Sequence, residues 1–208
     1  MKEEKETKEK LLLSARKEFA QKGYLQASLR NICKNAGVTT GALYFFFQDK
    51  EDLFSAIVEK PLQKLYQVME QHYREEFVDA SDKIQEDGDI RDDIEASRQI
   101  LQCMYSNYED IQILLTRAQG SRFENCIDEL VSVSEKHYRE IADQITEQYG
   151  KPRIEDYMIH WLAHMQIDAF VQLVTHEKDE QAAISHIEDI VCYLIGGWRA
   201  LFMKHGCI

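Results

Sequence analysis

The sequence predicts an all-α protein, and three observations carry that expectation. Apolar residues recur at intervals of three and four along nearly every segment, which is the period of a helix face. No segment shows the strict alternation of a half-buried strand. The 208 residues include only 2 Pro and 9 Gly, so few positions interrupt a helix. A chain of this length can bury one large core or two small ones. It contains no internal repeat and no low-complexity tract.

The first helix is expected from about Thr7 to Lys22, with Leu11, Leu12, Ala15 and Phe19 on one face and Gly23 as its stop. Ser28 can cap a short second helix carrying Leu29, Ile32 and Cys33, which Ala36-Gly37-Val38 interrupts. Thr39 can cap a third, through Phe46. Asp49 and Asp52 bring two carboxylates to the start of a fourth, where the helix dipole favours them. That helix is expected to continue past Pro61 to about Phe77, and the acidic run 79–93 reads as a loop. A helix with Ile94, Ile100, Leu101, Met104 and Tyr105 follows, then one capped by Asn107 with Ile111, Leu114 and Leu115. A long helix after Gly120 carries Phe123, Ile127, Leu130, Tyr138, Ile141 and Ile145, and ends at Tyr149-Gly150. Over residues 154–176 apolar groups go most of the way round, the mark of a helix buried on more than one side. Over 180–204, Ile184, Ile187, Val191, Leu194, Ile195, Trp198, Leu201 and Phe202 form one broad stripe. Gly196-Gly197 inside it costs about 1 kcal/mol per glycine and suits the close approach of another helix.

The formal net charge is −12. Residues 1–50 nevertheless hold ten Lys/Arg against six Asp/Glu, a net of +4, which leaves −16 for the rest. A basic head on an acidic body points to a polyanion met by the head alone. Five scattered cysteines without a CxxC pair fit reduced thiols better than a disulfide framework or a zinc site. No apolar run is long enough to span a bilayer, and the charged start MKEEKETKEK lacks the apolar centre of a signal peptide. A cytoplasmic chain with no membrane partner is the expectation. His160 and His164 lie four apart with Asp168 beyond, a spacing able to present two metal ligands. No HExxH glutamate accompanies them, so they read as polar lining, with no metal and no cofactor expected. No Ser/His/Asp order, phosphate loop or paired-carboxylate motif supports an enzyme.

The informative stretch is Ser28 to Leu53, SLRNICKNAGVTTGALYFFFQDKEDL. Two short helices joined by a glycine-containing turn make a helix-turn-helix, with Leu29, Ile32, Val38 and Leu43 packing one helix on the other. The pattern Ser-Leu-x-x-Ile-x-x-x-Ala-Gly-Val-Thr-x-Gly-x-Leu-Tyr-x-x-Phe-x-x-Lys-Glu-x-Leu resembles the DNA-binding domain of the TetR family of transcription regulators. Ala15, Phe19, Gly23 and Tyr24 match that family's first helix. The motif covers about residues 9–55; beyond it the likeness is one of length and helix pattern.

The resemblance implies a DNA-binding domain at 1–50 and a ligand-binding and dimerisation domain at 51–208. It implies Ser28, Arg30, Thr39, Thr40, Gly41, Tyr44, Phe45 and Lys50 as the DNA-binding set, with Ser28, Arg30, Tyr44 and Lys50 on phosphates and the start of the third helix in the major groove. Position 40 holds Thr where relatives often have Lys or Arg, and Phe45-Phe46 stand where many have His or Tyr. Base readout then rests on hydroxyls and on apolar contact with thymine methyls, which points to an A·T-containing half-site. Phe47 is expected in the core. In the second domain the resemblance implies a small-molecule pocket, with Cys103, Met104, Tyr105, Tyr108, Trp161, His164 and Met165 as candidates. It also implies a homodimer built on the last two helices, through Trp161, Ile187, Val191, Leu194, Gly197, Trp198 and Leu201. The whole is expected to be a repressor that an unidentified effector releases from double-stranded operator DNA. The competing reading is a helical interaction module without DNA binding, which Thr40 and Phe45 favour; an enzyme is a more distant one.

Overall fold

The computed structural model describes residues 2–83, 90–150 and 152–204, and among these residues there are nine helices and no strand. They are α1 (Lys2–Gln26), α2 (Leu29–Ala36), α3 (Thr40–Phe46), α4 (Lys50–Lys83), α5 (Arg91–Tyr105), α6 (Tyr108–Arg117), α7 (Cys126–Gln148), α8 (Asp156–His176) and α9 (Glu180–Lys204). The expected all-α class is the observed one. No helix among the described residues is long and apolar enough to cross a membrane.

Several boundaries differ from the expected ones for physical reasons. The main run of α1 breaks at Gly23, where φ is 71° and ψ 166°, and one further turn carries the chain to Gln26. The glycine supplies a backbone conformation that a side chain would strain. Helix α4 runs on through Pro61 to Lys83, so the start of the acidic run 79–93 is helical, and Arg91–Asp93 open α5; residues 84–89 of that run lie outside the described residues. The long helix expected after Gly120 begins at Cys126, which leaves Phe123 in the turns before it. Asn107 precedes α6 but its side chain makes no capping hydrogen bond.

The chain forms two compact units. The first joins Met1–Lys64 with Asn107–Cys126, so α6 and the loop after it belong with α1 to α3 and the start of α4. Its core holds Leu11, Ala15, Phe19, Ile32, Leu43, Leu53 and Phe54, all fully buried. The Phe19 and Phe54 rings meet edge to face at 4.9 Å, and Tyr24 and Phe123 close on Phe54 at 5.2 and 6.0 Å. Arg16 on α1 grips Asp110 on α6 in a two-pronged ion pair, Nε to Oδ1 at 2.6 Å and Nη2 to Oδ2 at 2.9 Å. A cleft of about 450 Å³ lies beside that pair, lined among others by Leu13, Lys17, Tyr108 and Arg117.

The second unit joins Leu65–Ser106 with Ile127–Ile208. Here α9 packs on α5 and α8, and Leu101 of α5, Ala163 and Val174 of α8, and Ala183 and Ile187 of α9 are buried. The rings of Tyr73 and His137 stack at 4.0 Å, and the Tyr73 hydroxyl shares a 2.6 Å hydrogen bond with the Ser134 hydroxyl.

Candidate nucleic-acid interface

Local sequence rules build the α2–α3 pair. Ser28 is extended and its hydroxyl accepts the Asn31 amide at 3.4 Å, which caps α2 as expected. Gly37 takes the left-handed conformation, φ 69°, and its amide returns to the last carbonyls of α2. Thr39 caps α3 by accepting the Ala42 amide at 3.2 Å. Asp49 accepts the Asp52 amide at 2.8 Å while Asp52 accepts the Gln48 amide at 2.9 Å, a reciprocal cap that starts α4. The buried Glu18 of α1 adds what sequence reading overlooked: its Oε1 accepts the Ser28 amide at 3.1 Å and the Asn31 side-chain amide at 3.4 Å. Its signal was an acid directly beside the apolar stripe of α1. Ser14 donates to the Ile32 carbonyl at 2.8 Å and ties the same two helices.

This framework sets one face of α3 free. Leu43 and Phe47 are buried, whereas Thr40, Gly41, Tyr44 and Phe45 are exposed, Tyr44 by 59% and Phe45 by 72%. The spacing of these four places them on a single side of the helix. Arg30 and Lys34 are exposed on α2, and Ser28 is half-buried at its start.

Lys50, expected on a phosphate, is half-buried at the start of α4 and makes contacts within the chain. Its ammonium donates to the carbonyls of Tyr24, Leu25 and Ala27 at 2.7, 3.2 and 3.5 Å and lies 4.5 Å from the Tyr24 ring centroid. An ammonium has three protons, and these carbonyls at the end of α1 engage them. Lys50 therefore clasps α4 to the end of α1.

Tyr24 carries a pH consequence. Burial first, and then the carboxylates of Glu51 and Asp49, push its hydroxyl up to about 12 from an ordinary value of 10.0. The fold thus favours neutral tyrosine. Its contribution to stability is fully present below pH 10 and is lost as the pH rises from there through 12. Urea midpoints followed by circular dichroism should fall across that range, and Tyr24→Phe should lessen the fall. An identical fall in the variant would exclude Tyr24 as its source. Burial likewise pushes the Cys33 thiol up, which opposes thiolate chemistry there.

The residues expected in the second domain are only partly brought together. Cys103 and Met104 are buried on α5, and the Tyr105 hydroxyl donates to the Glu177 carbonyl at 2.8 Å. His164 and Met165 are half-buried on α8, while Trp161 is 46% exposed. Tyr108 belongs to the first unit, where it lines the cleft between α1 and α6. Ile187 and Val191, expected at the dimer interface, are buried within the protomer, where α9 packs on α5 and α8. Leu194, Trp198 and Leu201 are half-buried, Trp198 with its ring 5.2 Å from that of Tyr138, and Gly197 is exposed. Cys192 and Tyr193 are exposed on α9. His160 Nδ1 meets Glu135 Oε2 at 2.9 Å and its ring lies 4.5 Å from that of His164; no group of three metal-ligating side chains occurs among the described residues. Cys207 lies outside them.

Capped α2, left-handed Gly37, capped α3 and an exposed α3 face define a helix-turn-helix protein. Residues 11–57 match the family described as bacterial regulatory proteins, tetR family. The N-terminal part of the chain is thus similar to the DNA-binding domain of that family. It is 47% identical over 53 residues to the HTH-type transcriptional repressor BepR of Brucella suis biovar 1 (strain 1330), covering 26% of this chain and 25% of that protein. It is 49% identical over 57 residues to the HTH-type transcriptional regulator AcrR of Shigella flexneri, covering 27% of this chain and 26% of the other. The matches thus span about a quarter of the length of these relatives. The whole fold is shared with a TetR family transcriptional regulator from Chloroflexus aurantiacus J-10-FL, at TM-score 0.64 and 15% identity over 93% of each chain. A gamma-butyrolactone receptor (ArpA-like protein) superposes with TM-score 0.52 at 20% identity over 83% of each.

Proposed function

We propose that this chain is a transcriptional repressor whose head, residues 1–50, binds operator DNA and whose body, 51–208, dimerises and takes a small-molecule effector. The observation that supports DNA binding most directly is the exposed α3 face of Thr40, Gly41, Tyr44 and Phe45, on a head whose net charge is +4 within a chain of −12. In this reading Tyr44 and the exposed cations Arg30 and Lys34 hold phosphates, Ser28 and Thr39 flank the groove, and Thr40 and Phe45 face base edges. Lys50 acts indirectly, by fixing α4 against α1.

A twofold dimer would set two α3 helices on successive major grooves of a near-palindromic site. The α8 and α9 surface that fits this role carries Trp161, Tyr193, Leu194, Gly197 and Leu201. The gamma-butyrolactone receptor of the same fold supports a small-molecule effector, which in this reading releases the DNA. To do so, the effector must bind the released conformer more tightly by a few kcal/mol. The cytoplasm, where DNA lies, is the compartment that fits.

The test is a gel shift of purified full-length protein on the DNA flanking its own reading frame, repeated with Tyr44→Ala. Retarded DNA that Tyr44→Ala weakens by tenfold or more is the expected result. Absence of any retarded species, on that DNA or on a random-sequence pool, would overturn the reading in favour of an interaction module.

A further inference from the structure

We infer that Phe45 reads the 5-methyl group of one thymine in each operator half-site and is the specificity-determining residue of this head; the inference rests on the DNA-binding reading above. Helix α3 and its caps, Thr39 to Phe47, contain no charged and no amide side chain. The two-pronged contacts that distinguish guanine (Arg or Lys) and adenine (Asn or Gln) are therefore absent from this helix by composition. Thymine offers a different handle, an apolar methyl projecting into the major groove, which a phenyl ring can contact.

Phe45 is the side chain of α3 placed to meet it. It is 72% exposed, although a phenyl ring gains by burial and neighbouring Phe47 is only 3% exposed. Its ring is braced edge to face against Phe46 at 5.0 Å, and Phe46 is itself half-buried. Bracing restricts the ring before DNA arrives and lessens the ordering cost of contact. Gly41 lies one turn before Phe45, and helical side chains lean towards the preceding turn. A Cβ added at Gly41 would meet only the Thr39 hydroxyl, at 3.8 Å. The space at Gly41, one turn before Phe45, is thus open, and a group of methyl size can approach the backbone there. Tyr44 is taken up by a phosphate in the reading above, and the Thr40 hydroxyl accepts or donates without distinguishing bases sharply. Discrimination falls to the ring.

The experiment first selects bound sequences from a random DNA pool with the full-length protein. Each thymine of the selected site is then replaced by deoxyuridine, which removes the methyl and nothing else. At fixed salt, one thymine per half-site should show about 4-fold weaker binding, the value of one buried methyl-sized group. Phe45→Ala should bind the thymine and deoxyuridine probes equally; its side chain is exposed, and circular dichroism should show it folded. Equal binding of every deoxyuridine probe by the unaltered protein overturns the inference and leaves DNA binding standing. A deoxyuridine effect that persists in Phe45→Ala also overturns it, by assigning the methyl to another residue. A pool from which no sequence is retained overturns the DNA-binding reading and this inference together.

Discussion

Replacing Phe54 by alanine should lower the unfolding free energy by about 3–5 kcal/mol, the cost of deleting a fully buried phenyl ring whose cavity cannot collapse. Phe54 is 0% exposed and touches Phe19, Tyr24 and Phe123, which come from α1, its last turn and the segment before α7. Each contact draws on a different stretch of chain, so no single neighbour can move in without opening a gap elsewhere. A domain of ordinary stability has about 5–15 kcal/mol in total, so the loss is a large share of it. Urea denaturation of the variant, with the gel shift as a second readout, checks this. A loss below 1 kcal/mol would mean that the ring cluster is dispensable.

Asp110→Ala should cost about 2 kcal/mol. Removing one partner of a fully buried ion pair costs about 3–5 kcal/mol, because the other charge is left desolvated. Arg16 is partly open, its side chain 31% exposed against 13% for Asp110, and water screens it enough to lower the figure. Asp110 also holds the Arg16 guanidinium more firmly protonated than usual, through the hydrogen bonds between them. Replacing both residues, as Arg16→Leu with Asp110→Leu, should recover most of the loss, since no charge is then stranded. Denaturation of the single and double variants measures this. A double variant as weak as the single one would show that the pair itself, and not the stranded arginine, carries the stability.

Much of the fold was legible because α-helices are written locally. Ser28, Gly37, Thr39 and Asp49 fill the capping and turn positions their chemistry suits, and the apolar spacing of α1 and α3 located the core of the head. What stayed hidden depends on distant partners. Nothing around Arg16 indicates that its carboxylate lies on α6, and nothing around Lys50 indicates that its ammonium turns back to the end of α1. The stripe Ile187, Val191, Leu194 and Trp198 announced a packed face on α9 but not which helix packs there, and the protomer's own α5 and α8 cover much of it. The exposed α3 face was readable from the motif; the openness beside Gly41 required coordinates.

The arrangement of the first unit also has a consequence for synthesis. Its chain departs at Lys64 and returns only at Asn107. During translation from the N-terminus, Phe19 and Phe54 therefore emerge well before Phe123, and Arg16 well before Asp110. The nascent head waits with part of its aromatic cluster uncovered until residue 126 has cleared the ribosome, an interval in which chaperones have something apolar to hold. For the same reason a fragment cut at residue 50 or 64 should be less stable than the intact unit: it lacks the helix that neutralises Arg16 and the ring that closes over Phe54. Swapping this head onto another body would need residues 107–126 to travel with it.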